Sequence, residues 1–440
     1  MKITHIERAI KKALKDGVNA LASEVGLIQR ESKISGQSLV QGLVFGLMGN
    51  PTASETAVAQ SVGRAGQAVT SQAVNARLNE PASRLFQRVL ERVTQIVVAP
   101  SAHTQTLLDR FSEVNVHDST TIGLPEALSE VWTGCGSRTG KGQSALKLQV
   151  QWDLRSGCLK QLTLHDGRSQ DRSAPVQTSE VTAGSLRVAD LGYFAVAVFE
   201  RVGQAHAYWL TRYLSGVVLL TPAGTRIDLP RWLDAHCTHD QHVDMPVLVS
   251  VQHRLPARLV AIRVPQNVAD ERRRKLHDQA RQKGQTASAL TLALANWSVF
   301  LTNVPVSMLS VDELLVIARA RWQIELLFKL WKSSGRIDES RSRKPFRILC
   351  ELYAKLIGQL IQHWLILLYT CWSHPNRSLV KAAAAICACA TCLLLAVRNS
   401  SSRAFAETIN LIARSVAATC RISKRSKRLA LFQLLTLDYA

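Results

Sequence analysis

The 440-residue sequence predicts an α/β protein: a mixed β-sheet with flanking helices, set between helical N- and C-terminal regions. Three observations point there. Apolar residues recur at helical spacing through the first hundred residues, alternating strands begin near residue 112, and helical spacing returns after residue 302. Hydrophobic residues make up 47% and charged residues 20%, which supplies apolar mass for cores and excludes a disordered chain. At this length several domains are expected. The boundaries are a helical region over 1–105, a first sheet segment over 110–214, a β-rich insertion over 215–296, a second sheet segment over 297–372 and a helical region over 373–440.

The N-terminal region carries Leu39, Val40, Leu43, Val44 and Leu47 on one helical stripe, ended by Gly49-Asn50-Pro51. Residues 58–79, VAQSVGRAGQAVTSQAVNARLN, have the outline of a helix-turn-helix. Gly63 to Gly66 reads as the turn and Ser71 as the cap of the second helix, with Ser71, Gln72, Asn75 and Arg77 facing DNA. A plain helical hairpin would read the same way.

Val114 to Asp118 reads as a short strand ending in a carboxylate, and Leu186 to Asp190 as another. Between them, Leu146, Leu148, Val150 and Trp152 alternate with polar residues, and Arg155-Ser156-Gly157 turns the chain into a partner strand. Tyr208 to Tyr213 and Trp297 to Thr302 are further strands, with short ones at 217–220, 247–251 and 259–264. A basic stretch, DERRRKLHDQARQKG (270–284), is either a solvated helix face or a DNA-backbone contact. Ser310 and Asp312 sit where caps belong, and one long amphipathic helix is expected from there to Ser333. Helices over 345–372 and 378–397 follow.

With 54 Lys and Arg against 33 Asp and Glu, the formal charge is +21, which points to a polyanionic partner, nucleic acid first, with a merely basic enzyme or a protein of anionic membrane surfaces as the alternatives. The nine cysteines show no zinc-type spacing, and their odd number in a chain without a signal-peptide pattern suggests reduced thiols in a cytosol. Ala382 to Val397 is apolar but short for a membrane span and reads as one buried helix, its cysteines (387, 389, 392) as small apolar residues; no membrane partner is expected. The loop His236 to His242 fits no zinc pattern, and RISKRSKR (421–428) is a basic surface cluster.

Within ARARWQIELLFKLWKSSGR (318–336), Arg321, Glu325 and Lys332 fall within about 40° of one another on a regular helix. Alone, that describes an ordinary surface ion pair. Asp118 and Asp190 change the reading. Two Asp and one Glu converging on a point would repel unless divalent cations lay between them. Oxygen ligands suit Mg²⁺ or Mn²⁺, and two such ions can cleave a phosphodiester while Arg321 and Lys332 neutralise the phosphate. His117, beside Asp118, is read as structural, because two-metal chemistry needs no general base.

HDSTTIGLP (117–125), VADLGYF (188–194), YWLTR (208–212), FLTNVP (300–305) and RWQIELLFKLWKS (321–333) resemble bacterial insertion-sequence transposases of the DDE family with the YREK signature. The signature spacing falls on Ala318, Arg321, Glu325 and Lys332, so the Tyr position is replaced by Ala318. The resemblance implies an RNase H-like catalytic core with Asp118 on the first strand, Asp190 on the fourth and Glu325 on a later helix, interrupted by a β-rich insertion. It further implies two Mg²⁺ or Mn²⁺ ions and cut-and-paste transposition, with double-stranded DNA, the element's terminal inverted repeats and the target, as substrate. A homodimer on paired ends and a bacterial, nucleoid-associated cytoplasmic location are also implied. Trp297 falls where related hairpin-forming enzymes stack a flipped base; a Trp buried on its strand is the competing reading. The alternatives are a nuclease of the same fold that does not rejoin strands, and an inactive relic or regulator that only binds DNA.

Overall fold

The computed structural model describes residues 3–30, 32–96, 98, 107–136, 142–236, 242–369 and 377–421. Contacts group them into two compact units, one from residues 3–98, 119–169 and 323–421, the other from 107–118 and 170–322.

The first unit is mostly helical. It begins with α1 (Ile3–Leu14), α2 (Val18–Glu24), α3 (Gly36–Gly49), α4 (Glu55–Ala65), α5 (Ser71–Arg77) and α6 (Glu80–Thr94). Serine caps start two of these: Ser35 accepts from the Ser38 amide and Ser54 from the Ala57 amide. At Gly42, α3 and α4 approach so closely that a Cβ would lie 2.4 Å from Val62 Cα, so only glycine fits. The helix-turn-helix expectation needs two corrections. Thr70, not Ser71, caps α5 by accepting from the Ala73 amide, and α4 runs through Gly63 to Ala65, so the turn begins at Gly66.

Strand β1 (Val114–Leu124) passes from the second unit into the first, where β2 (Ser144–Asp153) and β3 (Leu159–Asp166) continue the sheet in the order β3-β2-β1. The antiparallel β2–β3 hairpin turns at Gly157, whose φ of 72° favours glycine. As the alternation predicts, Leu146, Leu148, Val150 and Trp152 are buried.

In the second unit the order is β1-β4-β5-β9-β8-β7-β6, formed by β4 (Leu186–Ala189), β5 (Tyr208–Arg212), β6 (Leu219–Leu220), β7 (His242–Val249), β8 (Leu255–Arg263) and β9 (Trp297–Thr302). The β1–β4 and β4–β5 pairs are parallel, and the pairs from β5–β9 to β6–β7 are antiparallel. The sheet is therefore mixed, as expected, and the strands of the 215–296 segment extend it through the β8–β9 ladder. Helices α7 (Val196–Gln204), α8 (Leu229–His236), α9 (Gln266–Gln282), α10 (Ala289–Ala293) and α11 (Val311–Ala320) belong to this unit. Ser310 starts α11 with a reciprocal capping box to Glu313.

The expected single helix to Ser333 is broken: α11 ends at Ala320, and α12 (Trp322–Ser333) begins after Arg321. The 382–397 expectation is corrected likewise, since α14 (Leu379–Ala388) and α15 (Ala390–Arg398) meet at Cys389 with a 54° bend. Before them runs α13 (Pro345–Tyr369), and α16 (Ser402–Thr419) closes the described chain. Among the described residues no single helix is long and apolar enough to cross a membrane; the bent α14–α15 pair passes that test by length and composition only, and its Leu393, Leu394, Ala396 and Val397 are buried.

Helix α13 is buried on nearly every side and forms the core of the first unit. Its His363 is buried, donates from Nε2 to the Gly157 carbonyl at 2.9 Å and packs edge-on against Trp152. Burial pulls its pKa from 6.5 down to about 4, against the opposing pull of the Gly157 bond. Below pH 6.5 the unfolded chain takes up a proton that the folded chain refuses. Stability is thus full above about pH 6.5 and falls by roughly 3 kcal/mol as the pH drops toward 4. Thermal unfolding of His363→Gln is expected to show a shallower pH slope in that window than the parent chain; an equal slope would contradict this account of the buried ring.

Candidate active site

The parallel pairing of β1 with β4 aligns Val116 with Val188 and His117 with Ala189. One step further along each chain come Asp118 and Asp190, at matching levels on neighbouring paths. Alternation then turns both carboxylates to one face and His117 and Arg187 to the other. Asp190 follows β4 directly, as expected. Asp118 differs: it lies inside β1, which continues to Leu124, because Thr120, Thr121 and Ile122 favour extended backbone and do not turn.

Arg321 joins the two aspartates. Its guanidinium lies 3.1 Å from the Asp118 carboxylate and 4.0 Å from that of Asp190. Asp118 and Arg321 are largely buried, whereas the Asp190 side chain is 46% exposed, so the pair is open to solvent from the Asp190 side. Glu325 and Lys332 lie on α12, in its first and last turns, so Arg321 does not share their helix. Lys332 Nζ donates to the Thr121 carbonyl of β1 at 3.0 Å, which places its charge three residues beyond Asp118 along that strand. Among the described residues, no group of three or more His, Cys, Asp or Glu side chains is gathered as a metal-binding set. What the second unit does gather is Asp118, Asp190 and Arg321.

Behind this pair lies a polar network that the sequence did not reveal. Arg187 is buried on β4; it donates from Nη1 to His117 Nε2 at 3.3 Å and from Nη2 to the Gln177 side-chain carbonyl. Burial, and secondarily the charge of Arg187, holds His117 well below its ordinary pKa, so it is neutral at pH 7. Burial lowers the Arg187 guanidinium to about 10, which leaves it charged at neutral pH. Its only sequence signal was a charged residue inside the apolar run Leu186-Arg187-Val188-Ala189.

The remaining expected contacts fall elsewhere. On α5, Gln72 is exposed, but Arg77 donates to the Leu27 carbonyl at 2.9 Å and Asn75 bonds Glu55 and Arg347. Trp297 is only 3% exposed and packs into the apolar cluster of Trp209, Val249, Val299 and Leu301, with Arg263 over its ring at 5.6 Å. To stack a base it would have to leave that cluster. The basic stretch on α9 spends Arg272 and Arg273 on docking bonds to Trp297, Ser298 and Asn296. Its acids are paired as Asp270–Arg273, Glu271–Lys275 and Asp278–Arg281, as on a solvated helix face, and the exposed Arg274 and Lys283 leave that face net basic. Residues 237–241 of the His-rich loop and 422–428 of the C-terminal basic cluster lie outside the described residues.

Comparison with known proteins bears on this geometry. The chain is 24% identical over 364 residues to the transposase for insertion sequence element IS231B of Bacillus thuringiensis subsp. berliner, covering 78% of this chain and 75% of that one. It is 20% identical over 389 residues to the transposase for IS1151 of Clostridium perfringens, covering 83% and 81% of the two chains. Identity reaches 26% over 232 residues with the putative transposase InsL for IS186A of Escherichia coli (strain K12), covering 51% and 62%. The family model described as "Transposase DDE domain" matches residues 109–360, a span that holds Asp118, Asp190, Arg321, Glu325 and Lys332. That match extends over more than half of the sequence, and the chain belongs to the transposase DDE domain family.

Proposed function

We infer that this chain is the transposase of an insertion sequence, an enzyme that cleaves the DNA ends of its element and joins them to a target. The observation that carries the reading is the placement of Asp118 and Asp190 at one level of adjacent parallel strands, bridged by Arg321, inside the family-matched span. Transposases of this family generally use divalent metal ions. The residues present suit one: two carboxylates already share Arg321 as a cationic neighbour, they offer the hard oxygen donors such ions prefer, and Asp190 is reachable from solvent.

The assignment is Asp118, Asp190 and Glu325 as ligands of two Mg²⁺ or Mn²⁺ ions. Bound there, the ions would supply an activated water or 3′-hydroxyl and charge stabilisation for the leaving oxygen. The chain's own contribution is orientation and charge. The β1–β4 register spaces the two aspartates. Arg321, tied to Asp118, sets a guanidinium charge beside the carboxylates where a phosphate would lie, and Lys332 adds a point charge held by Thr121. With Ala318 at the signature Tyr position, no phenol reaches the phosphate from that site, and the cations do that work alone. Gln72 on exposed α5 remains a candidate reader of terminal repeats, whereas Arg77 supports the helix through Leu27. Work on two ends at once suits a homodimer on paired ends.

The deciding experiment gives purified protein Mg²⁺, DNA carrying both element termini, and a target plasmid. Joined products are the expected result. Cleaved ends that are never joined would instead mean a nuclease, and intact but tightly bound ends a DNA-binding relic.

A further inference from the structure

On the sheet face opposite Asp118 and Asp190, we propose that Arg187 is a positioning residue that sets the spacing of the two carboxylates, acting through a buried brace of His117, Arg187 and Gln177. The proposal rests on the assignment of Asp118 and Asp190 as metal ligands.

The brace can be followed atom by atom. A guanidinium only donates, so His117 Nε2 must accept from Arg187 Nη1, which links Arg187 to the residue immediately before Asp118. Arg187 Nη2 donates to the Gln177 side-chain carbonyl. The amide end of Gln177 donates to the Tyr193 carbonyl at 2.9 Å and to the Arg172 carbonyl at 3.3 Å. The Tyr193 amide in turn donates to the Asp190 carbonyl at 3.0 Å. Three side chains in series, those of His117, Arg187 and Gln177, therefore tie the residue beside Asp118 to the turn that begins at Asp190. His117, Gln177, Arg187 and Tyr193 are all buried, and Ala174, Val176 and Ala189 pack around Tyr193.

A plain stabilising role explains this poorly. Arg187 forms no ion pair with a carboxylate among the described residues, and its Nε lacks a partner there. Burying a guanidinium without a countercharge works against folding, and an apolar residue of similar length would fill the space at less cost. What an apolar residue cannot do is hold β1, Gln177 and the turn after β4 at fixed mutual distances through directional bonds. Metal-ligand carboxylates need such support, because ligand spacing governs how tightly a cation is held.

The test uses the full-length protein with Arg187→Met and Gln177→Leu, read by Mn²⁺ binding to the protein alone through electron paramagnetic resonance, and by the Mn²⁺ dependence of end cleavage. Both variants should stay folded and bind terminal DNA within about twofold of the parent. Their Mn²⁺ affinity should fall about 10–100-fold, with half-maximal cleavage shifted to higher Mn²⁺. Arg187→Lys, which keeps one donor, should lie between. A merely structural role would lower the active fraction without moving the Mn²⁺ dependence, and that outcome in both variants overturns the brace. Asp118→Asn tests the underlying assignment separately: if it binds Mn²⁺ and cleaves like the parent, the metal site is misassigned and the brace falls with it.

Discussion

Glu325→Gln is expected to lower cleavage of terminal DNA by at least about 10³-fold, equivalent to roughly 4 kcal/mol of transition-state stabilisation. Terminal DNA binding should stay within about threefold. The substitution keeps side-chain shape and helix propensity and removes only charge, so α12 should persist with its apolar face of Ile324, Leu327, Phe328 and Trp331 buried. The first-turn position of Glu325 adds a helix-dipole interaction whose loss costs about 0.5 kcal/mol, too little to unfold the chain. A gel-shift assay beside a cleavage assay separates the two effects. Loss of binding together with cleavage would mean that Glu325 serves structure.

The largest effect on stability is expected at Arg347, at the start of α13. Its buried guanidinium bonds Glu351 at 2.9 Å through Nε and reaches Glu55 of α4 and Asn75 of α5 through Nη1. Glu351 also accepts from Ser340. Removing the cation leaves Glu351 buried and under-compensated, so Arg347→Ala should cost about 3 kcal/mol and lower the first thermal transition by several degrees. Arg347→Met combined with Glu351→Leu should recover most of that loss, because an apolar pair leaves no buried charge behind. Scanning calorimetry of the three proteins decides the matter. If the double variant is no more stable than Arg347→Ala, packing and not charge holds this corner. The single variant should also weaken terminal DNA binding, since Arg347 anchors the helix that presents Gln72.

How much of this was legible in the sequence depends on whether the cause is local. The β2 alternation, the Ser310 cap and the Trp297–Thr302 strand rest on neighbouring residues, and the structure has them where the pattern puts them. Asp118 and Asp190 stood out as carboxylates after apolar runs, and their shared level follows from the parallel register. The break at Arg321 had no such signal. No Pro or Gly marks it, and Arg321 keeps helical dihedrals (φ −51°, ψ −36°), so the apolar period runs straight through the junction. Its side chain is instead engaged with Asp118, some 200 residues away in sequence, a tertiary contact that no periodicity encodes. Asn75 and Arg77 looked like DNA-facing residues for a similar reason: a polar side chain on a short helix reads identically whether its partner is a phosphate, Arg347 or the Leu27 carbonyl. Arg187 was hidden because its partners, His117 and Gln177, come from separate parts of the chain.

The claim that joins these observations is that Asp118, Asp190 and Glu325 together hold the divalent ions that cut DNA. It is tested most directly by cleavage of terminal DNA as Mg²⁺ is titrated from a chelated start, for the parent chain beside Glu325→Gln. The account predicts no cleavage under chelation, saturable cleavage with Mg²⁺ for the parent, and at least about 10³-fold less for Glu325→Gln at every Mg²⁺ concentration. Cleavage by the chelated parent, or by Glu325→Gln at the parent's rate, would contradict it.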